Sequence, residues 1–120
     1  MSAGTISLAV LNGIISLAST GFAIVAAVRP SSLSHEKTPT TGERFYAWMY
    51  SVRGIPLGLL VCVVPFVASG PVSALVLITA AVVQAGDAAI GAHRREARMT
   101  AAPALAGVIH VITAIAVAAP

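Results

Sequence analysis

The chain has 120 residues, of which 58% are hydrophobic and only 9% are charged, and its mean hydropathy is +0.93. These values exclude a soluble globular domain and predict an integral membrane protein. The formal net charge of +3 comes from basic residues in two short segments rather than on one continuous face, so we expect no nucleic-acid partner.

Four apolar runs are each long enough to cross a bilayer as a helix, which needs about 20 residues. We predict helices over residues 5–28, 46–69, 71–92 and 102–119, joined by loops at 29–45 and 93–101. Short connections between consecutive helices are typical of an up-down bundle. The sequence therefore predicts an all-α fold, a single polytopic four-helix domain that has the lipid bilayer as its environment.

The end of the first loop carries a helix-start pattern. Thr40 followed by Glu43 fits a capping box, in which each residue satisfies a backbone N–H of the other. The aromatic residues that follow predict a belt at one membrane interface, namely Phe45, Tyr46, Trp48 and Tyr50. Further along, the three residues 69–71 are Ser-Gly-Pro, which predicts a tight reversal and an antiparallel pairing of the second and third helices.

Basic residues predict the orientation of the bundle. Six of the seven lie in the two longer loops, namely Arg29, Lys37, Arg44, Arg94, Arg95 and Arg98. By the positive-inside rule both loops are cytoplasmic and both termini lie outside. We therefore expect a multi-pass protein of the cell membrane, either an inner or a plasma membrane.

Three of the four apolar runs carry a strongly polar residue, namely Arg53, Asp87 and His110. Measured from the predicted cytoplasmic ends, these residues lie about 13, 10 and 10 Å along their helices. An ionisable residue inside a bilayer is costly and usually faces a cavity or a partner. Three at one depth predict a shared polar site, in which Arg53, Asp87 and His110 are the candidate catalytic residues.

Six further polar residues extend this site as candidate substrate-binding residues. The three on the first helix recur every fourth residue along one face, two tyrosines share a face with Arg53, and a glutamine lies one turn before Asp87. They are Asn12, Ser16, Thr20, Tyr46, Tyr50 and Gln84.

Metal and cofactor sites are not predicted. Cys62 is the only cysteine, which excludes an intrachain disulfide and a cysteine metal cluster. Asp87 and His110 supply only two good ligands within the membrane, and neither His-x-x-x-His nor Cys-x-x-Cys spacing occurs. A phosphate-binding loop and a dinucleotide fingerprint are also missing. We therefore expect no metal and no cofactor.

The order of these features resembles the DoxX-like group of small four-helix membrane proteins, and within it a bacterial and fungal family of unknown function. The resemblance extends from Gly21 through nearly the whole chain. It implies the four-helix fold and the inward placement of Arg53, Asp87 and His110, but it does not imply a reaction. The segments that carry it are the aromatic entry, Ser51-Val52-Arg53-Gly54-Ile55-Pro56-Leu57-Gly58, Gln84-Ala85-Gly86-Asp87-Ala88 and Gly107-Val108-Ile109-His110.

Two functions remain open at this point. In the first, the polar residues line a pocket that binds a small lipophilic ligand, isoprenoid- or quinone-like, and transforms it by acid–base chemistry such as isomerisation, cyclisation or epoxide opening. In the second, the protein is a non-catalytic structural or accessory subunit, whose Arg53–Asp87 pair stabilises the bundle and whose small-residue faces form homo- or hetero-oligomers. Solute passage ranks below both, because only Asn12 and Ser16 extend the polar residues outward.

Overall fold

The computed structural model describes residues 1–33 and 36–119 and consists of four long helices. They are α1 (Ala3–Val28), α2 (Thr41–Val67), α3 (Pro71–His93) and α4 (Ala97–Ala118), with a short 3-10 helix at Pro30–Leu33. Each of the four is long and apolar enough to cross a membrane, and the described residues contain no strand. The predicted all-α fold, a four-helix polytopic bundle, is confirmed.

Two helices begin five residues earlier than the hydropathy predicted. The capping box of Thr40 and Glu43 is present, and α2 begins directly after it at Thr41 rather than at residue 46. The last helix begins at Ala97 rather than at residue 102, so Pro103 lies inside it. Hydropathy marks the part of a helix that lies in lipid, whereas polar residues continue these helices beyond a hydrocarbon core of about 30 Å.

The connection between α3 and α4 is much tighter than the predicted loop at 93–101. Only residues 94–96 separate the two helices. Arg95 has a positive φ of 57°, and the next backbone N–H, of Glu96, donates to the Gly91 carbonyl at 3.0 Å. Arg94 and Glu96 form an ion pair at 3.0 Å across the turn. This closure places the start of α4 directly against the end of α3.

The helices pack as two antiparallel pairs, α1 with α2 and α3 with α4. In the first pair, small residues bring the backbones together: a Cβ on Gly58 would overlap Thr20 Oγ1, and one on Gly54 would lie 3.1 Å from Ala23 Cβ. Ser51 Oγ donates to the Ala23 carbonyl at 2.7 Å across the same contact. The G-x-x-x-G spacing of the two glycines therefore marks a close helix contact, as such spacing usually does in membranes.

The connection between α2 and α3 is held in place at Gly70, but it allows the two helices to separate toward their opposite ends. Gly70 has φ 72° and ψ −150°, a conformation nearly restricted to glycine, and its N–H donates to the Val117 carbonyl at 2.9 Å. Away from this end α2 and α3 make few close contacts, because each packs on its own partner. A cleft between α2 and α3 is the result.

Two alanine substitutions on α3 test the contact between α3 and α4. A Cβ at Gly91 would overlap backbone atoms of Met99 and Thr100, whereas a Cβ at Gly86 would meet nothing within 4 Å. We expect Gly91→Ala to lower the free energy of unfolding by about 1–3 kcal/mol, because backbone atoms cannot rotate away. Gly86→Ala should leave it unchanged or raise it, since alanine favours the helix. Reversible unfolding in mixed micelles measures both, and equal values for the two variants would contradict this packing.

Candidate functional site

The cleft between α2 and α3 contains a cavity of about 500 Å³. All four helices contribute to its wall, and α2 and α3 contribute most of it. Seven of the nine predicted site residues line this cavity, namely Arg53, Asp87, His110, Tyr46, Tyr50, Gln84 and Ser16. The structure therefore brings the three candidate catalytic residues to one cavity.

One end of the cavity is lined by Tyr46 and Tyr50, and this end, called its mouth below, lies toward the predicted cytoplasmic ends of α2 and α3. Tyr46 is 70% exposed and Tyr50 is 37% exposed there, so the entrance is open beside the aromatic belt. Tyr50 of α2 and Asp87 of α3 line the cavity from opposite sides of the cleft. Arg53 and Asp87 line the same cavity, but no ion pair within 4.0 Å joins them. Neither charged group has an ion pair among residues 1–33 and 36–119, which leaves both for water, lipid headgroups or a ligand.

The deep end of the cavity is formed by His110, whose side chain is only 2% exposed. Its Nδ1 lies 2.7 Å from Oδ1 of Asn12, which is itself fully buried. The Asn12 amide Nδ2 donates to the Val61 carbonyl at 2.9 Å. In a regular helix that carbonyl would accept from residue 65, but Pro65 has no N–H. Asn12 therefore replaces the missing donor of α2 and holds the imidazole of α4.

His110 lies deeper than the other two candidate catalytic residues, so the prediction of one common depth is wrong. The hydrogen bonds place His110 level with Val61, which is eight residues and about 12 Å beyond Arg53 on α2. On α4, Gly107 packs against Gln84, so His110 lies about 10 Å beyond the level of Asp87. The prediction failed because it measured His110 from Pro103, which lies inside α4 rather than at its start.

Two predicted substrate-binding residues, Asn12 and Thr20, do not line the cavity. Asn12 lies behind His110, and Thr20 lies between α1 and α2, where its hydroxyl donates to the Ser16 carbonyl at 2.9 Å. Ser16 reaches the cavity wall while its own hydroxyl donates to the Asn12 carbonyl at 2.8 Å. The polar stripe of α1 faces inward as predicted, but most of it packs against α2.

Eight residues of the cavity wall were not predicted from the sequence. Most are apolar, and three of them, Leu57, Val61 and Ala80, lie along α2 and α3 between the polar mouth and the level of His110. Their types are common in any membrane helix, so only the placement of the four helices identifies them. They are Ser19, Met49, Gly54, Leu57, Gly58, Val61, Ala80 and Val83.

The chemistry available here is hydrogen bonding and proton transfer. Arg53 is a donor, the Asp87 carboxyl group accepts or supplies a proton, and the His110 ring accepts or donates. Within residues 1–33 and 36–119, no three His, Cys, Asp or Glu side chains are grouped so that they could hold a metal ion. The arrangement is therefore one of separate polar groups around an apolar space.

No protein-family model, curated protein or solved structure matches the chain. The resemblance to the DoxX-like group stays a prediction from the sequence.

Asp87→Asn and Asn12→Leu should differ in their effect on stability. Asp87 has no ion pair with Arg53 to lose, so Asp87→Asn should change the free energy of unfolding by less than about 1 kcal/mol. Asn12→Leu leaves both the Val61 carbonyl and the Nδ1–H of His110 without a partner and should cost about 1–3 kcal/mol or more. Reversible unfolding in mixed micelles measures both variants. A loss of 3 kcal/mol or more in Asp87→Asn would instead indicate a structural ion pair, because removing one partner of a buried ion pair costs about 3–5 kcal/mol.

Proposed function

We propose that this membrane protein binds a small lipophilic molecule in the cavity between α2 and α3 and transforms it by acid–base chemistry. The cavity, at about 500 Å³, has the size of a small-molecule site. Its wall is mainly apolar, and a few polar groups converge on it. Isoprenoid- or quinone-like molecules combine such an apolar body with oxygen functions. Isomerisation, cyclisation and epoxide opening are the reactions that this set of side chains suits.

One observation carries this proposal: Arg53 and Asp87 line a common cavity without forming an ion pair. Opposite charges in a low-dielectric environment attract strongly, and pairing is the usual way in which membrane helices tolerate them. When two such residues instead line a common space without pairing, a ligand that contacts both compensates for the missing pair. The alternative function, an accessory subunit held together by this pair, has no such contact to support it.

The depth of each group gives it a separate role. Asp87 acts as the general acid or base near the mouth, Arg53 stabilises negative charge that develops there, and Tyr50 and Gln84 orient the reacting end of the ligand. The backbone of His110 lies about 10 Å deeper along the helices than that of Asp87. His110 therefore contacts a different part of the same molecule.

One feature favours a structural role for part of the site. Asn12 and His110 hydrogen bond across helices, which fixes the position of α4 against α1 and α2. Such bonds are worth about 0.6 kcal/mol on average in membranes, with a maximum of about 1.7 kcal/mol. This contact stabilises the bundle without using the second ring nitrogen of His110, so the structural role and the ligand-binding role are compatible. Membership of the DoxX-like group is part of the same proposal.

Tryptophan at one of two neighbouring positions on α3 tests whether the cavity is occupied. Val83 lines the cavity and is 43% exposed, whereas Val82 does not line it and is 67% exposed. We expect Val83→Trp to fill the cleft and to lower the amount of co-purified lipophile at least about tenfold, because the binding volume is lost. Val82→Trp makes the same chemical change on the side of α3 that faces lipid, and this variant should retain the co-purified lipophile. Mass spectrometry of organic extracts from equal amounts of folded protein gives the comparison, and equal retention in both variants would contradict the proposal.

Asp87→Asn tests the chemical step. We expect this variant to convert the co-purified lipophile at least about a hundredfold more slowly than the wild-type protein, since general acid–base catalysis contributes about 10²–10⁴ in rate. Thr79→Ala is a matched control, because Thr79 is exposed on the same helix and bonds only its own backbone at Leu75. Turnover in lipid nanodiscs, followed by chromatography, measures both. Undiminished turnover in Asp87→Asn would remove Asp87 from the mechanism.

A further inference from the structure

The hydrogen bonds behind His110 determine which of its ring nitrogens carries a proton. The Val61 carbonyl can only accept, so the nitrogen of the Asn12 amide must face it and the oxygen must face His110. An amide oxygen is only an acceptor, so Nδ1 of the ring must carry the hydrogen between them. In a neutral imidazole this leaves the other nitrogen, Nε2, with a free lone pair.

Nε2 of His110 is accessible from the cavity. Among residues 1–33 and 36–119, Ser73 Oγ is the one buried side-chain nitrogen or oxygen atom without a hydrogen-bond partner. Nε2 also has no partner within this part of the chain and is not among these fully buried atoms, so a small part of its surface is open although His110 as a whole is buried. His110 lines the cavity and its Nδ1 is occupied by Asn12, so Nε2 is the ring nitrogen that remains for a ligand in the cavity.

The ring is neutral in this setting. An unpaired buried charge is costly, and histidine, unlike arginine, can release its proton; the described part of the chain holds no carboxylate within 4.0 Å of the buried imidazole. Asp87, the carboxyl-bearing residue of the cavity wall, lies about 10 Å nearer the mouth along the helix axes. Nε2 is therefore a hydrogen-bond acceptor at the deep end of the cavity, away from the polar groups of the mouth.

We infer that the ligand carries a hydrogen-bond donor on its deep end, in the form of a hydroxyl group, which Nε2 of His110 accepts. The inference rests on the proposed function, because it specifies the molecule that the cavity takes. Leu57, Val61, Ala80 and Val83 line the same cavity and contact the apolar body of the ligand. Arg53 and Asp87 bring one charge of each sign to the mouth, which favours a neutral polar group over an anion there. The ligand class is a neutral lipophilic alcohol that bears a second oxygen function.

Nitrogen NMR of the wild-type protein in lipid nanodiscs, without added ligand, tests which ring nitrogen of His110 carries the proton. We expect Nδ1 of His110 to be protonated and Nε2 to resonate as a non-protonated imidazole nitrogen, with the His110→Gln spectrum assigning the signals. In Asn12→Leu the ring loses the group that orients it, and the two tautomers should both be populated. A protonated Nε2 in the wild-type protein would overturn the inference, whether or not Asn12→Leu folds.

Binding of farnesol and farnesyl methyl ether to the wild-type protein tests whether Nε2 of His110 accepts a hydrogen bond from a ligand hydroxyl group. The two probes share their apolar body, but only the alcohol has a donor. We expect farnesol to bind at least about fivefold more tightly and to shift the Nε2 signal, since a net hydrogen bond contributes about 0.5–1.5 kcal/mol. Equal affinity of the two probes would overturn the inference and leave lipophile binding intact. If neither probe perturbs any signal of the cavity residues, both the inference and the proposed function are wrong.

Discussion

Asn12 joins three of the four helices through one buried amide. It supplies the Val61 carbonyl of α2 with the donor that Pro65 lacks, and it accepts from the imidazole of α4. Lipid offers no hydrogen bonds, so a carbonyl freed by a proline inside a bilayer must find a partner within the protein. The position of α4 against α1 and α2, and with it the position of His110, depends on this requirement.

The cavity follows from the way in which the helices pair. α1 and α2 approach closely because Gly54 and Gly58 face small residues of α1, and α3 and α4 approach closely because Gly91 lies against the backbone at Met99. Each of these close contacts lies within one helix pair, and none of them joins α2 to α3. The second and third helices, α2 and α3, are connected at Gly70 and separate toward their other ends, where Arg53 and Asp87 lie. Close packing within the pairs thus creates the open space between them.

The sequence predicts the helices and seven of the fifteen cavity residues, because these depend on local properties. Apolar length identifies four spans, and an ionisable residue in such a span faces inward. Helix ends are harder to predict, since residues such as Arg98 and Thr100 continue α4 beyond its apolar part. The misplaced start of α4 also caused the error in the depth of His110.

The contact between Asn12 and His110 joins positions far apart in the chain, and no local pattern predicts it. Pro65 did give a signal, because its missing N–H indicates a carbonyl at Val61 that needs a donor. That signal says that a donor exists but not which residue supplies it. Asn12 becomes identifiable only when α1 is placed beside α2.

The central claim is that Arg53 and Asp87 are held apart around a space that a lipophilic molecule occupies. A density map of the protein in lipid, obtained with a bound antibody fragment that adds mass, tests it most directly. The account predicts elongated density between α2 and α3 that extends from Arg53 and Asp87 to His110. Closed α2 and α3 helices, with Arg53 and Asp87 in direct contact and no density between them, would contradict it.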